Sequence, residues 1–160
     1  MKLDRQVLVD LRNVFGNRLL TGELDLISYS YDGTGLVRMP DAVVRAKDEK
    51  EVAALLSLAH RHEFPVVPRG AATNLTGGAV PIHGGVVVDF TLMNRIIEID
   101  TENLIAVVEP GVVVGDLQRE AGRKKLFYPP DPASNEFSTI GGNIAEGAGG
   151  LRGLRVRRYA

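Results

Sequence analysis

Between Pro68 and Gly78 the chain reads Pro-Arg-Gly-Ala-Ala-Thr-Asn-Leu-Thr-Gly-Gly, so side-chain bulk nearly disappears for one stretch. The stretch follows Pro65-Val66-Val67, a short apolar run that reads as the end of a buried strand. A loop this thin lets backbone N–H groups close on an anion. Thr73, Asn74 and Thr76 add side-chain donors. Arg69 adds a permanent charge suited to a phosphate or a nearby carboxylate. Two readings stay open from these residues alone: a cradle for a diphosphate, or an ordinary glycine-rich turn between strands. The stretch is not a P-loop, because no Gly-Lys-Ser/Thr ending occurs. It is not a dinucleotide fingerprint either, because Gly-x-Gly-x-x-Gly is absent and no helix pattern follows Gly78.

The surrounding chain supplies a frame for such a loop. Residues 3–15 read as an amphipathic helix with Val7, Leu8, Leu11, Val14 and Phe15 on one face and Gly16 as C-cap. Residues 17–40 read as mostly irregular, with Asp32-Gly33 a turn signal and Tyr29 and Tyr31 as surface-packed aromatics. Residues 42–46 form a short strand. Asp48 caps a helix running to about His62, with Val52, Leu55, Leu56 and Ala59 expected on its apolar face. Strand, helix and the strand before the loop make one βαβ unit. His60 and His62 point in different directions, so a shared metal is not expected and no metal ligand is assigned.

Beyond the loop, residues 86–90 form another buried strand. Residues 93–100 and 104–109 read as a hairpin turning at Thr101-Glu102-Asn103. The change from βαβ to meander places a subdomain boundary near residue 90. Residues 114–125 read as a helix, and Phe127-Tyr128-Pro129-Pro130-Asp131-Pro132 as a rigid extended segment. A second glycine-rich element follows, Ser138-Thr139-Ile140-Gly141-Gly142-Asn143-Ile144-Ala145-Glu146, where Ser138 or Thr139 caps a short helix. Two such elements suit one long ligand, a nucleotide-diphosphate cofactor, better than an isolated phosphate.

Composition narrows the rest. The chain has 160 residues, enough for a sizeable core, and a net charge of −1, so no overall field draws nucleic acid. It has no cysteine, which excludes disulfides, thiolate metal sites and a cysteinyl cofactor link. No apolar run approaches a membrane span, and Met1–Arg5 lacks a signal-peptide pattern. A cytoplasmic location is expected, with no nucleic acid partner.

Five motifs in order carry a family resemblance: Val66–Ala71, Leu75–Gly78, Val107–Val112, Phe127–Pro132 and Thr139–Glu146. Together they resemble the FAD-binding, PCMH-type domain of the vanillyl-alcohol-oxidase superfamily. Within it they look most like the flavin-binding chain of glycolate oxidase and the FAD-linked D-lactate and D-2-hydroxyglutarate dehydrogenases. The resemblance covers residues 37–154, after an N-terminal helix and lead-in over residues 1–36. It implies an α/β (α+β) fold of two subdomains with FAD extended between them, a βαβ first subdomain and an incomplete second. It implies that Pro68, Arg69, Gly70, Ala71, Ala72, Thr73, Asn74, Leu75 and Thr76 hold the diphosphate. Thr139, Gly141, Gly142, Asn143 and Ala145 would line the ribityl and diphosphate stretch, with Pro130 and Asp131 near the flavin.

The chain departs from that family in three ways. Ala72 stands where many relatives have glycine. The loop has no histidine, so FAD is expected to be non-covalent. The sequence also stops before the cap domain that in relatives supplies the substrate site, so no catalytic residue is assigned. The expected identity is the FAD-binding portion of a 2-hydroxyacid oxidoreductase, inactive alone. A 2-hydroxy acid would meet it only in a complete protein, beside other oxidase subunits. Residues 155–160 leave the family pattern. One back-translation with a single base deleted restores Arg-Tyr-Gly-Val-Thr, so a frameshifted end is expected rather than an evolved basic tail. Two alternatives remain: a stand-alone half that needs a separate C-terminal chain, and a non-functional fragment.

Overall fold

The computed structural model describes residues 3–150, which divide into two compact units meeting in sequence at Leu92 and Met93. The change of pattern near residue 90 falls at this boundary.

The first unit is built on a four-stranded sheet of order β1-β2-β4-β3: β1 (Leu19–Leu20), β2 (Ala42–Arg45), β3 (Val66–Arg69) and β4 (Val86–Asp89). β2 and β3 run parallel to β4, and β1 pairs antiparallel with β2. The helix α3 (Glu49–His62) joins β2 to β3, as the βαβ pattern predicts, but β4 lies between those two strands. β4 is buried along its whole length, which its run of three valines permits. Asp48 caps α3 by accepting the Glu51 N–H at 2.9 Å. Its inward face is Glu51, Leu55, Leu58 and Ala59; Leu56, expected inside, is 53% exposed. Positions 51, 55, 58 and 59 follow the helical repeat, and Leu56 sits one step off that stripe. The helix α1 (Arg5–Phe15) buries Val7, Leu11 and Phe15, lies against α3 and ends at Gly16. Arg18 makes a double contact with buried Glu51, at 2.5 Å to each oxygen. Residues 17–40 are more ordered than expected: they hold β1 and the short helix α2 (Glu23–Ile27), whose Leu26 packs with Val43 and Val87.

The second unit opens with the hairpin β5 (Ile96–Asp100) and β6 (Ile105–Val108). Asp100 Oδ1 accepts the N–H groups of Glu102 and Asn103, each at 2.9 Å, which fixes the predicted turn. Ile96, Ile99 and Val108 pack against Val112, Val114, Leu117 and Ile140. Ile97, Ile105 and Val107 are exposed. The helices α4 (Val114–Arg123) and α5 (Ile140–Ala145) complete the unit. The arginine-bearing residues 151–160 lie outside the described residues.

Candidate functional site

The thin loop leaves the carboxyl end of β3, the edge at which parallel sheets present ligands. Among the described residues, no acceptor within the chain takes the backbone N–H of Gly70, Ala71, Ala72 or Thr73. Four consecutive donors, half-buried or exposed and free of partners among the described residues, are what an anion cradle offers to a ligand in place of water. Ala72 adopts φ 52°, the left-handed conformation that glycine favours. The departure noted at this residue therefore falls where a methyl group is conformationally costly.

Arg69 is buried at the root of the loop, and its guanidinium meets carbonyl oxygens. Nη1 donates to Tyr31 O at 2.8 Å and Ala79 O at 3.3 Å, and Nη2 to Ser28 O at 3.0 Å. The group also sits over the Tyr29 ring, 5.5 Å from its centre. Tyr29 in turn donates its hydroxyl to Asp89 Oδ2 at 2.7 Å, at the end of β4. Asn74, a predicted donor to the ligand, gives its amide to Asp32 Oδ2 at 2.7 Å and to Thr76 Oγ1 at 3.2 Å.

Sequence reasoning missed Asp32. It is 6% exposed. Its carboxylate accepts the Thr34 N–H at 2.9 Å, the Thr34 hydroxyl and the Asn74 amide, together with the Gly77 N–H. Burial alone would raise its pKa; the hydrogen bonds from Thr34, Asn74 and Gly77 outweigh burial and hold it below 3.8. The signal that existed, Asp32-Gly33, reads only as a turn.

In the second unit, Thr139 caps α5 with its side chain toward the Gly142 N–H, one of the two caps anticipated. Gly141 lies so close to Pro110 that a Cβ there would stand 2.8 Å from Pro110 Cβ. Its N–H donates to Pro110 O at 2.8 Å. Ser138, 7% exposed, has a buried hydroxyl without a hydrogen-bond partner among the described residues. Asn143 is buried, while Ala145 is exposed. Pro130 and Asp131 are held to α4: Gln118 Nε2 donates to Pro130 O at 2.9 Å, and Asn135 donates to Asp131 Oδ1 at 3.0 Å. Asp131 bridges to Gly150, its N–H donating to Gly149 O at 2.8 Å. Among the described residues, no cluster of three or more His, Asp or Glu is placed to hold a metal, and no helix is long and apolar enough to cross a membrane.

The profile of the FAD binding domain family matches residues 40–158. The chain belongs to that family. FAD is the cofactor of the domain, and the four open N–H groups of the first loop fit its diphosphate. The chain is 52% identical over 128 residues to glycolate oxidase subunit GlcD of Bacillus subtilis, covering 79% of this chain and 27% of that protein. It is 36% identical over 156 residues to a D-lactate dehydrogenase of Anaerostipes hadrus, covering 96% of this chain and 33% of that protein. Among solved structures, an alkyldihydroxyacetonephosphate synthase superposes with a TM-score of 0.84 at 25% identity, covering 95% of this chain and 32% of that one. p-Cresol methylhydroxylase superposes with a TM-score of 0.76 at 26% identity, covering 87% and 28%. The fold is thus that of PCMH-type FAD-binding proteins, and the chain spans about a third or less of the proteins it matches.

Proposed function

We propose that this FAD-binding domain is the cofactor-holding part of a 2-hydroxyacid oxidoreductase of the glycolate and D-lactate type. The observation that carries the proposal is the row of open N–H groups from Gly70 to Thr73 in a chain 52% identical to a glycolate oxidase subunit over 128 residues. Residues 68–76 hold the diphosphate through backbone groups and the Thr73 hydroxyl. Thr139, Gly141, Gly142, Asn143 and Ala145 add a second set of contacts, as do Pro130 and Asp131. When bound, FAD accepts a hydride equivalent from the hydroxyl-bearing carbon. The described residues contribute binding and orientation, and none is placed as the base for the hydroxyl proton. The 2-hydroxy acid, the other oxidase subunits, the non-covalent mode of binding and the cytoplasmic location are parts of the same proposal.

The test is flavin binding by the chain and by Gly70→Leu, followed through quenching of FAD fluorescence. A leucine side chain at position 70 occupies the space beside the donors, so at least a hundredfold loss is expected, about 3 kcal/mol. Equal affinity in the two proteins removes the loop from the site.

A further inference from the structure

Residues 28–34 have no part in the proposed function, yet they hold both limbs of the anion loop, some 40 positions further along the chain. At the near limb, Arg69 reaches back to Ser28 O at 3.0 Å and Tyr31 O at 2.8 Å while also holding Ala79 O. At the far limb, Asp32 takes the Asn74 amide and the Gly77 N–H. Between them the Gly33 N–H donates to Asn74 O at 3.1 Å. Gly33 permits that approach: a Cβ on it would stand 2.6 Å from Leu75 Cδ2 and 2.8 Å from Asn74 O. The segment is itself fastened to the sheet through the Tyr29 hydroxyl on Asp89.

We infer that residues 28–34 form a strap that preorganises the anion loop, and that Asp32 is its positioning residue. The inference rests on the diphosphate reading of the loop. A loop of small residues loses much conformational entropy when it closes on a ligand, and a loop already fixed at both limbs loses less. A carboxylate beside an anion site would ordinarily oppose binding. Here its lone pairs are turned to Thr34, Asn74 and Gly77, and the Arg69 cation lies near enough to interact with it. Asp32 therefore shapes the loop without presenting an open charge to the ligand.

The experiment uses the chain with Asp32→Asn, Asn74→Ala, the double variant and Gly70→Leu. It reads backbone amide resonances and hydrogen exchange across residues 70–77, together with FAD affinity and the thermal midpoint. In Asp32→Asn an amide NH2 faces the Asn74 NH2, donor to donor. The expected result is faster exchange at Gly77 and shifted amides at 70–73, which touch neither side chain, with FAD bound about tenfold more weakly. The double variant is expected to be no worse than Asp32→Asn alone, because both changes cut one link. Asn74→Ala cuts that link from the loop side, so it decides the matter if Asp32→Asn fails to fold. Unchanged loop amides in both single variants, with unchanged FAD affinity, overturn the strap. If those variants keep FAD while Gly70→Leu loses it, the strap falls and the diphosphate reading stands. If Gly70→Leu also keeps FAD, or FAD leaves the loop amides unmoved, the diphosphate reading falls, and the amide response to Asp32→Asn still decides the strap.

Discussion

The two glycine-rich elements have similar composition but are restrained in opposite ways. The loop at 70–78 is held mainly by side-chain contacts to residues far away in sequence: Arg69 on four carbonyl groups, and Asp32 on Asn74 and Gly77, with the Gly33 N–H on Asn74 O between them. The element at 138–150 is held by backbone lying on backbone: Gly141 on Pro110, and Gly150 on Asp131. The first restraint is electrostatic and reversible, and it responds to charge and pH. The second is steric and responds to a single methyl group. Glycine thus thins the chain beside open donors in the first element and admits the backbone of Pro110 and Asp131 in the second.

The comparison breaks most visibly at Gly150. A Cβ there would stand 1.8 Å from Asp131 O, and the backbone sits at φ +92°. Gly150→Ala is expected to destabilise the second unit by roughly 3 kcal/mol, the upper range of overpacking, and to leave the amides at 70–77 in place. An unchanged thermal unfolding curve would contradict the steric account.

Arg69→Met should cost less, roughly 2 kcal/mol, because the buried carbonyl of Ala79 and the part-buried carbonyls of Ser28 and Tyr31 lose their donor together. Arg69→Lys should recover only part of this, since one ammonium lacks the planar fork that reaches two segments. Full recovery by lysine, read from denaturant midpoints, would mean that charge alone matters.

Acid should act on the first unit at two carboxylates. Glu51 is drawn down to about 2, first by the hydrogen bond from Arg18, with burial opposing it. A depressed pKa means that its contribution is complete above the ordinary 4.5 and is lost as pH falls toward 2. The loss is on the order of 2 kcal/mol after allowance for solvent screening. Asp32 follows the same sign, so the Thr34 and Gly77 amides should titrate with a midpoint below 3.8. Loop amides that move only above that pH would place Asp32 outside the network.

The smallest expected effect is at Ala72. With φ 52° it pays for a left-handed backbone, and Ala72→Gly removes that cost while loosening the unfolded chain. The net expectation is a gain of about 0.5 kcal/mol, with tighter FAD binding. Gly142→Ala, whose Cβ would meet Thr139 Oγ1 at 3.4 Å, should be nearly neutral. A destabilised Ala72→Gly in the same denaturant series would argue against the left-handed conformation.

What the sequence revealed were the features with local or periodic signals. The Asp48 cap, the Gly16 stop, the valine-rich strands and the 101–103 turn each follow from a few adjacent residues. β1 and α2 escaped because two and five residues carry no readable period. Leu56 reads as inward from its apolar identity, yet its angle on the helix turns it to solvent. The carbonyl partners of Arg69 at 28–31 have no side-chain signature, so the sequence shows only a cation beside a thin loop. Asp32 was hidden for the same reason: the link to Asn74 spans 42 positions, and only the fold brings its ends together.

The hydroxyl of Tyr29 gives the strap an optical signature. The chain contains no tryptophan and four tyrosines, so its near-ultraviolet spectrum is a tyrosine spectrum. A tyrosine in water ionises near 10. Tyr29 is pushed up to about 12, first by burial and then by its hydrogen bond to Asp89. Its contribution to stability is therefore whole below 10 and disappears as pH rises through about 12. In an alkaline titration the red-shifted tyrosinate band should gain a late component from the Tyr29 ring, at the point where the strap meets the sheet. Detachment of the strap would turn that late component into an early one, a change of colour in the ultraviolet that needs neither flavin nor label.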